Sequence, residues 1–208
     1  MKFWISCGFL VGVGLLVSAA ARTLDPARSA RNEGAFRVVN ITTDSAPGWL
    51  PSTRQEQLML AKVHEYYSDL DAGHYQQAYA VMAAGLRNSL RAEDYIKSKI
   101  AFREQAGQLI TRKILKVTWT KDPQQAPFPG VYAAVDISAR YQKADRFCGY
   151  LVLYQHPSGG DFEVMREEQN FIDNTTAEKM EEQQSRIALD QAWAALAVNC
   201  PNYEPDVP

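Results

Sequence analysis

The chain has 208 residues, 22 of them basic and 24 acidic, for a formal net charge of −2. That near-balance, with no run of Lys or Arg, excludes the clustered basic surface that a nucleic-acid partner requires. The length leaves room for one domain with its own core, plus appendages.

The first twenty-one residues have the form of a secretory signal. Lys2 supplies a positive start, Phe9 to Val17 an apolar core too short to span a bilayer, and Ser18-Ala19-Ala20-Ala21 the small residues of a cleavage site. The expectation is cleavage near Ala21 and a periplasmic or secreted protein, with membrane contact only through an uncleaved signal segment. Cys7 precedes the apolar core, the wrong side for a lipid anchor. Cleavage leaves 21 basic and 24 acidic residues, since only Lys2 is lost, and two cysteines, Cys148 and Cys200. Two cysteines in an exported chain are expected to pair.

Residues 22–52 read as an N-terminal tether. Within it Phe36–Ile41 is a short apolar run, suited either to an edge strand or to docking on the domain with Trp49 and Leu50. The domain proper is expected over 53–173. Ser52 or Thr53 can accept from the first helical amides, Glu56 completes a capping box with Thr53, and apolar residues at Met59, Val63, Tyr66 and Leu70 share one helical face. Gly73 suits the left-handed residue that closes a helix. A second helix is predicted over 75–84, interrupted after that by Gly85 and Asn88, and a third from about Arg91 to Phe102.

After Gly107 the period changes to two, which predicts four strands. The first carries Ile110, Ile114 and the Leu115–Trp119 run and stops at Asp122-Pro123. The second runs from Val131 to Tyr141, and the third, the most apolar and hence expected to be central, from Phe147 to Gln155. Pro157–Asp161 is a hairpin turn leading to a fourth strand over 162–172. One helix is predicted over 174–199, polar in its first half, and residues 200–208 form a tail. A Cys148–Cys200 bond would staple that helix to the sheet.

The run Tyr67-Ser68-Asp69-Leu70-Asp71-Ala72-Gly73-His74-Tyr75-Gln76-Gln77-Ala78-Tyr79, with Leu86-Arg87 and Phe162-Glu163-Val164, resembles a bacterial family known as domain of unknown function 4019. The resemblance covers about residues 56–172. It implies an α+β fold: N-terminal helices packed on a curved four-stranded antiparallel sheet, plus a C-terminal helix. This is the cystatin-like cone of nuclear transport factor 2 and ketosteroid isomerase.

Enzymes of that superfamily place acids and tyrosines inside the cone. The residue types in matching positions are Tyr66, Tyr67, Trp119, Tyr132, Asp136, Tyr150 and Tyr154, with Arg140 nearby. Each also has an ordinary structural explanation: aromatic residues fill sheet interiors, and an Asp between Val135 and Ile137 alternates toward water. Arg140 and Glu163 or Glu167 are expected as cross-strand partners on the solvent face. His64, His74 and His156 have no metal-ligand spacing, and no cofactor motif occurs in the sequence. The leading expectation is an exported binding or protein-interaction module with no catalytic residues, whose partner is an unknown protein or small-molecule ligand. The alternatives are a small-molecule isomerase or dehydratase, and an inhibitor or immunity-type partner protein. The sequence leaves the oligomeric state open.

Overall fold

Of the two candidate caps, Ser52 starts the first helix. A computed structural model describes residues 39–42 and 45–200, and in it helix α1 spans Thr53–Ala72. Ser52 Oγ accepts from the Gln55 amide at 3.2 Å, and Gln55 Oε1 accepts from the Ser52 amide at 2.9 Å. The reciprocal box expected of Thr53 and Glu56 is therefore one residue earlier, because the helix begins one residue earlier. At the other end Gly73 is left-handed, with φ 79°. The Gly73 amide donates to the Leu70 carbonyl at 3.1 Å and the His74 amide to that of Asp69 at 2.8 Å, which satisfies the last carbonyls of the helix.

Helix α2 (Tyr75–Ala80) is shorter than the sequence pattern predicts. Residues 81–83 leave it to pair with the sheet: the Ala83 amide donates to the Val164 carbonyl at 2.8 Å, and the Val164 amide to that of Val81 at 3.0 Å. Gly85 and Asn88, read as interruptions, lie inside a short helix α3 (Ala84–Ser89). Helix α4 is Ala92–Ala106.

Among the described residues five strands follow the order β1-β2-β3-β4-β5: β1 (Val39–Ile41), β2 (Leu109–Lys121), β3 (Val131–Tyr141), β4 (Ala144–Gln155) and β5 (Glu163–Asp173). Strands β2 to β5 form the expected antiparallel meander, with β4 inside it. Strand β1 adds to the edge in parallel, Val39 opposite Val117 and Ile41 opposite Trp119. So residues 39–41 of the expected tether are part of the sheet. Trp49 packs against the core, whereas Leu50 is 69% exposed and does not dock. The expected signal segment, residues 22–38 of the tether and the tail at 201–208 lie outside the described residues.

Alternation along the strands gives the sheet two faces. Val117, Trp119, Ala133, Val135, Ile137, Leu151 and Leu153 point to the helices and form one core with Met59, Val63, Tyr66, Tyr67 and Tyr95. Trp119 meets Phe162 edge-on at 6.0 Å, and Phe102 meets Tyr141 and Phe171 at 5.2 and 5.1 Å. Each such side chain contributes about 1.5–3 kcal/mol on burial.

The other, outer face carries the C-terminal segment. The single helix expected there is two, α5 (Asn174–Gln183) and α6 (Arg186–Leu196), followed by a 3₁₀ turn over Ala197–Asn199. Ser185 breaks the run: its hydroxyl accepts from the Ala188 amide at 3.1 Å and so restarts the helix. The polar first half is largely exposed, with only Ala177 buried. Cys148 on β4 is bonded to Cys200, with Cα atoms 6.1 Å apart. The two sulfurs sit in a second cluster with Ile172, Ala177, Leu189 and Trp193.

Candidate functional site

The residues singled out from the sequence do not share one site. Tyr66, Tyr67 and Trp119 lie in the helix-side core. Tyr132, Asp136, Tyr150 and Tyr154 alternate onto the outer face, where Asp136 stands opposite Lys116 on β2 and Tyr150 on β4. Asp136 is half-buried. The Tyr132 and Tyr154 rings meet at a tilt with centroids 5.0 Å apart, and their hydroxyls donate to the carbonyls of Phe128 and Pro129 and so fasten the β2–β3 loop. Burial raises the Tyr150 hydroxyl pKa above its ordinary value, with Arg166 opposing and Glu168 and Asp136 adding to the rise.

The interior holds a polar cluster centred on Glu167. Its Oε2 accepts from Tyr66 Oη at 2.7 Å and pairs with the Lys99 ammonium. Tyr66 Oη is also 2.9 Å from Tyr95 Oη, and Lys99 donates to Gln169 Oε1 at 3.0 Å. Local periodicity assembles these groups: Tyr95 and Lys99 are four apart on one face of α4, and Glu167 and Gln169 two apart on one face of β5. Lys99 and Glu167 are 10% and 7% exposed at the side chain.

Beside this cluster lies a second one. Arg112 on β2 holds Asp71 of α1 with two bonds of 2.7 and 3.0 Å, donates to Tyr141 Oη at 3.2 Å, and stacks 4.0 Å from the Tyr67 ring centre. Burial is the largest single influence and works against the Arg112 charge, but the hydrogen bonds and charges of Asp71 and Tyr141 together outweigh it, and its pKa stands above the ordinary value. Burial, reinforced by the Glu167 carboxylate, pushes the hydroxyls of Tyr66, Tyr67 and Tyr95 well above theirs. Tyr67 Oη, Glu167 Oε1 and Arg112 Nε are buried without a hydrogen-bond partner among the described residues.

Of Glu163 and Glu167, either of which is expected on the solvent face beside Arg140, Glu163 is exposed but the Glu167 side chain is buried, and neither strand position faces Arg140. β3 and β5 are separated by β4, so Arg140 cannot face Glu167. The side reverses at a bulge: Val152 pairs with Arg166 but Leu153 with Val164, leaving Met165 as the extra residue. Strict alternation from the buried Val164 puts Glu167 outside; the bulge turns it inward. The one available signal was Lys99, four residues after Tyr95 on an otherwise apolar helix face.

The hollow that reaches this interior is small. A cavity of about 20 Å³, lined by Asp71, Lys99, Arg112, Tyr141 and Gln169 among others, holds about one water. Substrate pockets occupy roughly 300–1,000 Å³. Among the described residues no group of His, Cys, Asp and Glu is arranged to hold a metal ion, and no helix is long and apolar enough to cross a membrane.

Fold and site thus define a mixed α+β domain whose helix-side interior is filled, and whose interior carboxylate is held by a lysine and a tyrosine. The chain belongs to the family described as Protein of unknown function (DUF4019), whose model matches residues 62–165. No curated protein and no solved structure matches the chain.

Proposed function

We propose that this protein is an exported, non-catalytic binding or interaction module, built on the cone of nuclear transport factor 2 and ketosteroid isomerase. The filled interior carries this reading. A cone enzyme needs space for substrate beside its acid or base, and the hollow that reaches Lys99 and Gln169 is about 20 Å³ and is not lined by Glu167. Glu167 is also committed to Lys99 and Tyr66, so proton transfer to a ligand would first have to break those bonds. The leader-like first twenty-one residues and the Cys148–Cys200 bond support export.

Cross-linking in native periplasm, followed by mass spectrometry of the purified protein, tests the proposal. A recurrent partner, or a ligand recovered unchanged, is the expected result. Turnover of any small molecule that Glu167→Gln abolishes would overturn it. That outcome would establish the second reading, isomerase or dehydratase chemistry, for which the unpartnered Glu167 Oε1 and Tyr67 Oη are the favouring observation.

A further inference from the structure

A hollow on the outer face is far bigger than the interior cavity. It encloses about 830 Å³, inside the range of small-ligand pockets. Its floor is the outer side of β2 and β3, and its far wall is helix α6, with Arg186, Asp190 and Trp193. The lining carries Lys113, Arg140, Arg146 and Arg186 against Asp145 and Asp190, an excess of two positive charges on a chain whose net charge is −2.

The four cations are not equivalent. Arg146 is neutralised by Asp145 at 2.9 Å and Asp190 at 2.8 Å, and Arg186 by Glu181 at 2.5 Å. Lys113 and Arg140 form no ion pair with any described residue. The strand register makes them partners in position: Lys113 is opposite Ser138, and Arg140 opposite Thr111. They are therefore diagonal neighbours on one face, ~7–8 Å apart at the backbone, with a hydroxyl beside each. Two uncompensated cations in a hollow with protein walls concentrate positive potential there, and a guanidinium binds carboxylate or phosphate through paired bonds. Exposed Ile110 and the Trp193 wall supply apolar surface at the rim and side.

We propose that this groove is a binding site for a small organic dianion, a dicarboxylate or a phosphate monoester, held between Lys113 and Arg140. The proposal rests on the binding-module reading and names the place and chemistry of the ligand.

Titration calorimetry of the disulfide-bonded protein at low ionic strength tests it, with succinate, inorganic phosphate and neutral succinamide as probes. Nitrogen-correlated amide spectra would confirm the fold of each variant. Saturable binding of succinate or phosphate, and none of succinamide, is expected; preference between the two anions assigns the ligand to the carboxylate or phosphate class. Lys113→Gln with Arg140→Gln should weaken binding by about tenfold or more. Arg87→Gln with Lys97→Gln, the same charge change at exposed positions on α3 and α4, should leave it unchanged. Absence of saturable dianion binding would overturn the site, as would equal losses in both double variants, or a response to acidic peptides only. A periplasmic partner captured equally by the groove variant would remove the groove and leave the module reading standing. Turnover sensitive to Glu167→Gln would instead remove the module reading.

Discussion

The helix side of the sheet is closed by twenty-two buried residues in one cluster, and the outer side by six, among the described residues. The larger core can accommodate Lys99, Glu167, Arg112 and Asp71, because enough apolar contact surrounds them to offset the cost of burying charge. The smaller cluster has six buried residues beneath two short helices, and there the Cys148–Cys200 bond adds a covalent attachment to the packing. Polar chemistry therefore sits under the thick layer as a locked cluster, and beside the thin layer as an open groove. Volume alone is a poor guide to where an exposed charge is available to a partner: the inner charges have one another, while Lys113 and Arg140 face solvent.

The contrast breaks most severely at Glu167. Glu167→Ala leaves Lys99 buried without its counter-charge, and an expected loss of about 3–5 kcal/mol would appear in denaturant unfolding. Replacing the pair together, Lys99→Met with Glu167→Leu, should recover most of that loss. A Glu167→Ala protein within about 1 kcal/mol of the parent would mean that the cluster is solvated rather than locked.

Removing both sulfurs, Cys148→Ser with Cys200→Ser, attacks the other side. Chain-entropy reasoning for a separation of 52 residues gives a loss of up to about 4 kcal/mol. The loss should be local in form: limited proteolysis is expected to cut first near Gln184–Ser185, with the helix-side core still protected. Simultaneous loss of protection on both sides would show that the two layers fold as one unit.

The tyrosines sharpen the comparison by pH. Tyr66, Tyr67 and Tyr95 have hydroxyl pKa values raised in the fold, mainly by burial. The neutral forms are favoured in the native state, so their contribution is complete below about pH 10 and declines as pH rises beyond it. Tyrosinate absorbance should show the exposed phenols ionising reversibly, and these three only together with cooperative unfolding.

The smallest effects concern the caps. Ser52→Ala should cost about 1 kcal/mol of global stability, since α1 supplies the main core. Asp173 caps α5, its carboxylate accepting from the Thr176 amide at 2.9 Å, a bond that holds its pKa below the ordinary value. That cap contributes above the ordinary carboxylate range and is lost as pH falls through it. Asp173→Ala should therefore speed amide exchange in α5 alone, and spread of the effect to α1 would contradict the two-layer picture.

Much of the scaffold was legible in residue order. The period of two between Val131 and Tyr141 marked β3, Gly73 marked the end of α1, and two cysteines implied one bond. What escaped depended on partners distant in sequence. Residues 81–83 look helical locally and leave the helix only because Val164 offers hydrogen bonds. Ser185 looks like an ordinary polar helix residue until its hydroxyl is seen capping the next turn. The central carboxylate was missed for a sharper reason: one extra residue, Met165, reverses the side on which every later β5 side chain falls. A bulge has no local signature in this stretch, so alternation puts Glu167 on the wrong face.

Strand β1 bears on how the domain would respond to tension. A pull on the chain entering at Val39 loads three residues paired with β2 and then the attachment of the next loop, the Ala46 amide to the Lys121 carbonyl at 3.2 Å. A pull on the chain leaving at Cys200 meets a covalent bond into β4. The two ends are thus mechanically unequal. Under a stretching force between them, β1 should peel away at low load while the last helices stay fixed. Single-molecule extension would then show a short early step of about ten to fifteen residues' contour length before the meander yields, at ~3.3–3.6 Å per residue. A domain that yields in one step would show that the edge strand carries as much load as the sheet it borders.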